Sequence, residues 1–215
     1  MSERLKLALT KGRLEKQSVE LMKKMGLDCT VFEQIGRRLI ISLPNYPLDI
    51  VLAKAADVIT YVENGVCDMG VVGKDTIMEQ GRHFFEVLDL GFGRCRFVLA
   101  GKVGANFYDG YENPSVASKY PNVARNFFLK KGMDVKIIRI EGSLEIAPIL
   151  GLTDAIVDIV ETGTTLRENG LVEMEKIQDI SARLIVNVGS MRMKKQQVNE
   201  FIGLCKQHIK GFSPS

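Results

Sequence analysis

Short runs of aliphatic and β-branched residues alternate with segments of helical period along almost the whole chain, and this alternation restricts the architecture more than any other feature. Residues 5–9, 39–43, 48–52, 69–72, 96–100, 115–117, 135–140, 155–160 and 184–188 read as strands. Residues 15–25 carry Val19, Leu21, Met22 and Met25 at roughly helical spacing. Helices are also predicted over 55–63, 123–131, 144–150 (interrupted at Pro148) and 194–209, with Gly65 and Gly132 as stops. Strands interleaved with helices in this way argue for an α/β fold with parallel or mixed sheets. The glycines of Gly91-Phe92-Gly93 separate two such alternating blocks, and a hinge is expected there.

Composition narrows the function by exclusion. A chain of 215 residues that is 46% hydrophobic is long enough to bury a core or two. Its net charge of +3 announces neither a nucleic acid nor a membrane surface, so anion binding must come from local placement of Lys and Arg. Cys29, Cys67, Cys95 and Cys205 form no CxxC pair and read as free thiols of a reducing compartment. No apolar stretch approaches the roughly 20 residues of a membrane span, and no basic-then-apolar leader opens the chain. A cytoplasmic location is expected. The two histidines, His83 and His208, stand far apart with no metal-ligand spacing, which argues against a zinc enzyme or a Ser-His-Asp hydrolase.

The chemistry concentrates at residues 154–166. The apolar run 155–160 is broken only by Asp158, is preceded by Asp154, and opens into Glu161-Thr162-Gly163-Thr164-Thr165, after which a helix is expected near Leu166. A strand, a small flexible turn and a helix offer an anion free backbone amides and threonine hydroxyls. In open α/β sheets ligands bind at the carboxyl ends of strands. Carboxylates would repel a lone phosphate, but they suit a ligand that also carries ribose hydroxyls or Mg²⁺. The pattern therefore fits a ribose 5-phosphate; as local physics alone it fits equally a helix capped by threonine.

The segment GLTDAIVDIVETGTTLRENGL at 151–171 resembles the PRPP-binding stretch of ATP phosphoribosyltransferases, which open histidine biosynthesis. The likeness continues in ALTKGRL at 8–14, DVITYVENGVCDMGVVGKD at 57–75, ASKYPNVARNFF at 117–128, EGSLEIAP at 141–148 and SARLIVN at 181–187. The resemblance implies two α/β domains with a cleft between them, similar to type II periplasmic binding proteins with mixed sheets. The domains would be 1–91 with 180–215, and 92–179 carrying the phosphate turn. It implies transfer of the phosphoribosyl group of PRPP to N1 of ATP with loss of pyrophosphate, with Mg²⁺ carried by the substrate phosphates and no metal held by the protein itself. Because the chain stops after its last predicted helix, it resembles the family's short form, which implies a histidyl-tRNA-synthetase-like regulatory subunit in a hetero-oligomer and a homodimer as the catalytic unit.

Resemblance also distributes the site. PRPP is assigned Asp154, Asp158, Glu161, Thr162, Gly163, Thr164 and Thr165; ATP is assigned Lys11, Gly12, Arg13, Tyr120 and Glu141. Lys11, Arg37 and Lys54 fall at positions that contact the pyrophosphoryl and triphosphate groups and carry the catalytic electrostatics. Where this chain has Lys54 the family usually has Arg, so a planar fork is exchanged for a point charge. Glu141, Ser143 and Glu145 can hold ribose hydroxyls, the adenine amino group or a helix end, with Glu141 ranked first. Two other functions remain in view: a non-catalytic small-molecule binding module, and a phosphoribosyltransferase for another base.

Overall fold

The computed structural model describes residues 4–33, 36–81, 83–109 and 113–209. It divides into two compact units, Met1–Gly93 with Ser181–Ser215, and Arg94–Ile180. The boundary falls directly after Gly93. Residues 1–3 and 210–215, which the domain expectation also spans, lie outside the described residues.

The first unit holds strands β1 (Leu5–Thr10), β2 (Ile40–Ser42), β3 (Leu48–Ala53), β4 (Met69–Gly73) and β5 (Phe84–Asp89). Its helices are α1 (Arg13–Lys24), α2 (Ala55–Glu63) and α3 (Lys74–Gln80). The second unit contains β6 (Cys95–Lys102), β7 (Ser115–Ser118), α4 (Pro121–Lys130), β8 (Lys136–Arg139), α5 (Ile146–Ile149), β9 (Ala155–Val160), α6 (Thr164–Glu168) and β10 (Leu171–Ile180). The chain then returns to the first unit with β11 (Ala182–Asn187), α7 (Val188–Met193) and α8 (Lys195–His208).

Each unit is built on one mixed sheet, with strand orders β2-β3-β1-β4-β11-β5 and β10-β6-β9-β7-β8. The first sheet is buried on both faces, which is why its central strands are apolar at nearly every position. Leu5, Leu7 and Leu9 of β1, Met69 and Val71 of β4, and Leu184 and Val186 of β11 enter one cluster with α1 and α8. Ala8, Val72 and Ile185 point the other way, into a cluster with Val58, Ile59 and Val62 of α2. The period of two along each strand thus assigns alternate residues to opposite faces. In the second unit Val98, Ala100, Ala117, Ile156 and Val160 pack with Leu144, Leu166 and Leu171.

Sequence periodicity leaves α3, β5, β10 and the six-residue α7 unassigned. Both strands are sheet edges, and β10 carries Glu173, Glu175, Lys176 and Asp179 within ten residues. An edge strand half in water keeps charge, which also blunts edge-to-edge pairing. α3 is seven residues long, too short for helical periodicity to show in sequence. No helix among the described residues is long and apolar enough to cross a membrane.

Candidate active site

In the second unit the parallel strands β8, β7 and β9 run side by side, with Ser118 opposite Val157 and Arg139. Their carboxyl ends therefore open at one edge of the sheet and deliver Glu141, Tyr120 and the turn 161–165 there. Ser118, fully buried, fixes that edge: its hydroxyl donates to the Val157 carbonyl at 2.7 Å and accepts from the Tyr120 amide at 2.9 Å.

A pocket of about 250 Å³ lies at the end of β9, lined by Glu145, residues 158–163 and residues 164–166. Gly163 supplies its bend with φ of 75° and ψ of 9°, a left-handed conformation that a Cβ disfavours. The Thr162 and Thr164 hydroxyls lie 3.1 Å apart. The first i to i−4 hydrogen bond of α6 is Arg167 N–H to the Gly163 carbonyl at 3.2 Å, so the amides before Arg167 have no acceptor one turn back. At five residues α6 has little macrodipole. What it gives an anion is donors, not a field.

Asp158 faces this pocket from β9 and accepts the Ile159 amide at 2.7 Å. Burial pushes its carboxyl from the ordinary 3.8 up to about 6; the Ile159 hydrogen bond opposes that rise, Glu145 adds to it and Lys119 opposes it. A half-buried acid without a paired cation, at the wall of a polar pocket, is a candidate for ligand binding. It can accept hydroxyls from a sugar.

Three residues assigned from sequence, Asp154 to PRPP and Glu141 and Tyr120 to ATP, do not line this pocket. Asp154 precedes β9 at its amino end, about 20 Å from the turn at ~3.3 Å per residue. Its carboxylate accepts both the amide and the hydroxyl of Ser115 at 2.7 Å, and so joins β9 to the start of β7. That is a structural role, and the placement of Asp154 among the PRPP ligands is corrected. Glu141 is exposed and is taken up by Arg139, at 2.8 Å from Nε and 2.7 Å from Nη2. Glu145, ranked below it from sequence, lines the pocket together with Glu161. Tyr120 precedes α4 with its ring edge-on to Phe97 at 5.0 Å, a packing contact outside the pocket lining.

Two arginines that sequence reasoning passed over back the turn. Arg96 of β6 donates to the Glu161 carbonyl at 3.2 Å while its fork grips Glu173 at 2.7 Å. Arg167 donates to the Thr162 carbonyl and the Thr164 hydroxyl, each at 3.2 Å. Side chains that bond to a loop from behind leave no periodic signal in a sequence.

The first unit gathers the basic residues. β1 and β3 are parallel with Thr10 opposite Ala53, and the Lys11 amide donates to the Ala53 carbonyl at 2.9 Å. Lys11 and Lys54 thus leave neighbouring strand ends. β2 runs antiparallel with Leu39 bonded to Leu52, which brings the Arg37-Arg38 turn to the same end. Lys11, Gly12, Arg13, Arg37 and Lys54 are all exposed there. Gly12, with φ of 97°, makes the bend between β1 and α1, and its amide donates to Glu15 at 3.2 Å.

A family model described as HisG: ATP phosphoribosyltransferase matches residues 54–207, a stretch that includes Lys54 and the whole turn. The chain belongs to the ATP phosphoribosyltransferase family. Curated ATP phosphoribosyltransferases of Clostridium kluyveri and Clostridium acetobutylicum are 57% and 52% identical to it, over 96% and 95% of this chain and 94% and 95% of theirs. Lys11 and Arg37, outside the family-model match, fall in the N-terminal part of the chain. Among solved structures, the ATP phosphoribosyl transferase (HisG:HisZ) complex from Thermotoga maritima superposes with a TM-score of 0.80 at 33% identity, over 97% of this chain and 100% of that one. The periplasmic aliphatic sulphonate binding protein SsuA from Escherichia coli reaches 0.61 at 12% identity over 97% of this chain and 73% of that one, which places the fold among type II periplasmic-binding-protein-like chains and says nothing of ligand. As an ATP phosphoribosyltransferase the chain is an enzyme of pentosyl transfer, acting at the first step of histidine biosynthesis.

Among the described residues no three His, Cys, Asp or Glu side chains converge as metal ligands.

Proposed function

We propose that the turn 161–165 holds the 5-phosphate of PRPP while Asp158 and Glu161 take its ribose hydroxyls. Adenine N1 of ATP then attacks C1; the N1–C1 bond forms, the C1–O bond breaks, and its electron pair leaves with pyrophosphate. N1 carries a lone pair near neutral pH, so the chain need not supply a strong base. The demand is electrostatic, because two polyanions meet and a third departs. Lys11, Arg37 and Lys54 answer it by neutralising the pyrophosphoryl and triphosphate groups, and Gly12 and Arg13 help to seat ATP beside Lys11. Mg²⁺ arrives on the substrate phosphates and lowers the charge of the leaving group. Tyr120 and Glu141 stand near the nucleotide side of this reading without lining the pocket.

The observation that supports it most is the convergence of donors and acid in one pocket: Gly163 in the left-handed region, two threonine hydroxyls and Asp158. A phosphate-binding turn alone fits a phosphoribosyltransferase for any base; ATP as acceptor follows from relatives of that name at 52–57% identity. The Thermotoga neighbour was solved as a HisG:HisZ complex, which supports a second subunit of that kind in a hetero-oligomer here; a homodimer as the catalytic unit and a cytoplasmic location complete the proposal. The test is to mix the purified chain with ATP, PRPP and Mg²⁺, with and without a HisZ-type subunit, and follow N1-ribosylated adenine by absorbance. Product in either mixture is expected; none in both would reject the assignment.

A further inference from the structure

Arg167 holds the phosphate turn from outside the pocket. Its Nη1 donates to the Thr162 carbonyl and its Nη2 to the Thr164 hydroxyl oxygen, each at 3.2 Å. The same Nη1 occupies the space beside Gly163: a Cβ built on that glycine would stand 3.1 Å from it. The guanidinium therefore spans the turn from residue 162 to residue 164, passing over the one residue whose lack of a side chain leaves room. It is an exposed arginine with two neutral partners, and it does not line the pocket.

We infer that Arg167 is a positioning residue for phosphate binding, acting through Thr164. A threonine oxygen that accepts from a guanidinium has its own proton left to donate elsewhere. Thr162, whose oxygen accepts from the Thr164 amide at 3.4 Å, donates its own proton to the Thr164 oxygen 3.1 Å away; Thr164 lines the pocket, so its proton is offered to the ligand there. The bond to the Thr162 carbonyl holds the other shoulder of the turn, so that both hydroxyls stay 3.1 Å apart. The positive charge 3.2 Å behind the Thr164 hydroxyl adds to the attraction for a phosphate dianion without touching it. The ligand class is a sugar phosphomonoester. The inference rests on the reading of this turn as the 5-phosphate site.

The experiment is a double-mutant cycle on the full chain, with its regulatory subunit where turnover requires one, using PRPP for kinetics and ribose 5-phosphate for direct binding by calorimetry. Arg167→Met is expected to raise KM for PRPP about tenfold, as loss of one charge-assisted hydrogen bond would. KM for ATP and the thermal midpoint should stay as in wild type. Arg167→Lys should recover part of the loss by restoring charge without the fork. In a Thr164→Val background, Arg167→Met should cost less than threefold further, since the hydroxyl through which it acts is gone. Equal increases in KM for both substrates, or a full tenfold effect in the Thr164→Val background, would overturn the inference. Thr164→Val weakening ribose 5-phosphate while Arg167→Met does not would sink it alone and leave the phosphate turn standing. Ribose 5-phosphate indifferent to Thr164→Val would sink the reading of the turn itself.

Discussion

Asp158→Asn should make the protein more stable at alkaline pH and a poorer enzyme, and the size of the first effect follows from the site. Burial raises the Asp158 carboxyl from 3.8 to about 6, with the Glu145 charge adding to the rise. Between about pH 4 and pH 6 the folded chain thus binds more protons than the unfolded one. The sign follows by linkage: stability from this group is fully present below about pH 4, falls as pH rises through the window, and stays low above about 6. At about 1.4 kcal/mol per factor of ten, the gap caps the cost near 3 kcal/mol at pH 8. Asparagine keeps an oxygen for the Ile159 amide and removes the charge. Even half the cap is a rise of about 3–6 °C in thermal midpoint for a chain of this size. The assay is thermal unfolding of Asp158→Asn and wild type at pH 4.5 and pH 8, beside KM for PRPP, which should rise about tenfold as a charged hydrogen bond to ribose is lost. A midpoint at pH 8 equal to or below wild type would refute the reasoning. So would a gain of equal size at both pH values, since only the charged form is penalised by burial.

Other perturbations separate binding from architecture. Gly163→Ala puts a Cβ into the left-handed region, at about 1–3 kcal/mol, and against the Arg167 guanidinium at 3.1 Å. KM for PRPP should rise at least tenfold with KM for ATP unchanged, and steady-state kinetics with each substrate varied checks this. Asp154→Ala strips the Ser115 amide and hydroxyl of their acceptor, at about 1–3 kcal/mol; the melting point should fall while KM for PRPP stays within twofold. Lys54→Ala should lower turnover on the order of 10²-fold if the ammonium stabilises departing charge as one preorganised donor does. Single-turnover rates read that step directly, and an unchanged rate removes Lys54 from the catalytic set.

The parts of this fold most legible in sequence were those in which burial dictates composition. β4, β9 and β11 are apolar because both faces of their sheets are covered, and helix α2 begins and ends at the residues its spacing and Gly65 predict. β5 and β10 are hidden because an edge strand answers to water on one side, so charge enters and alternation weakens. At the site, the turn itself is legible in Thr-Gly-Thr-Thr, since only glycine takes φ of 75° without strain. Asp154 and Asp158 look alike in a string, four residues apart. A strand six residues long carries one to the ligand end and leaves the other at the far end, bonded to Ser115. Arg167 and Arg96 are visible only in three dimensions, because each serves the turn by reaching a carbonyl.

The most direct measurement is a crystal structure of the chain with PRPP and Mg²⁺ bound. The account places the 5-phosphate oxygens within about 3 Å of the amides and hydroxyls of residues 162–165, with the ribose diol turned to Asp158. A PRPP phosphate seated away from Gly163, with those amides still bonded to water, would contradict it.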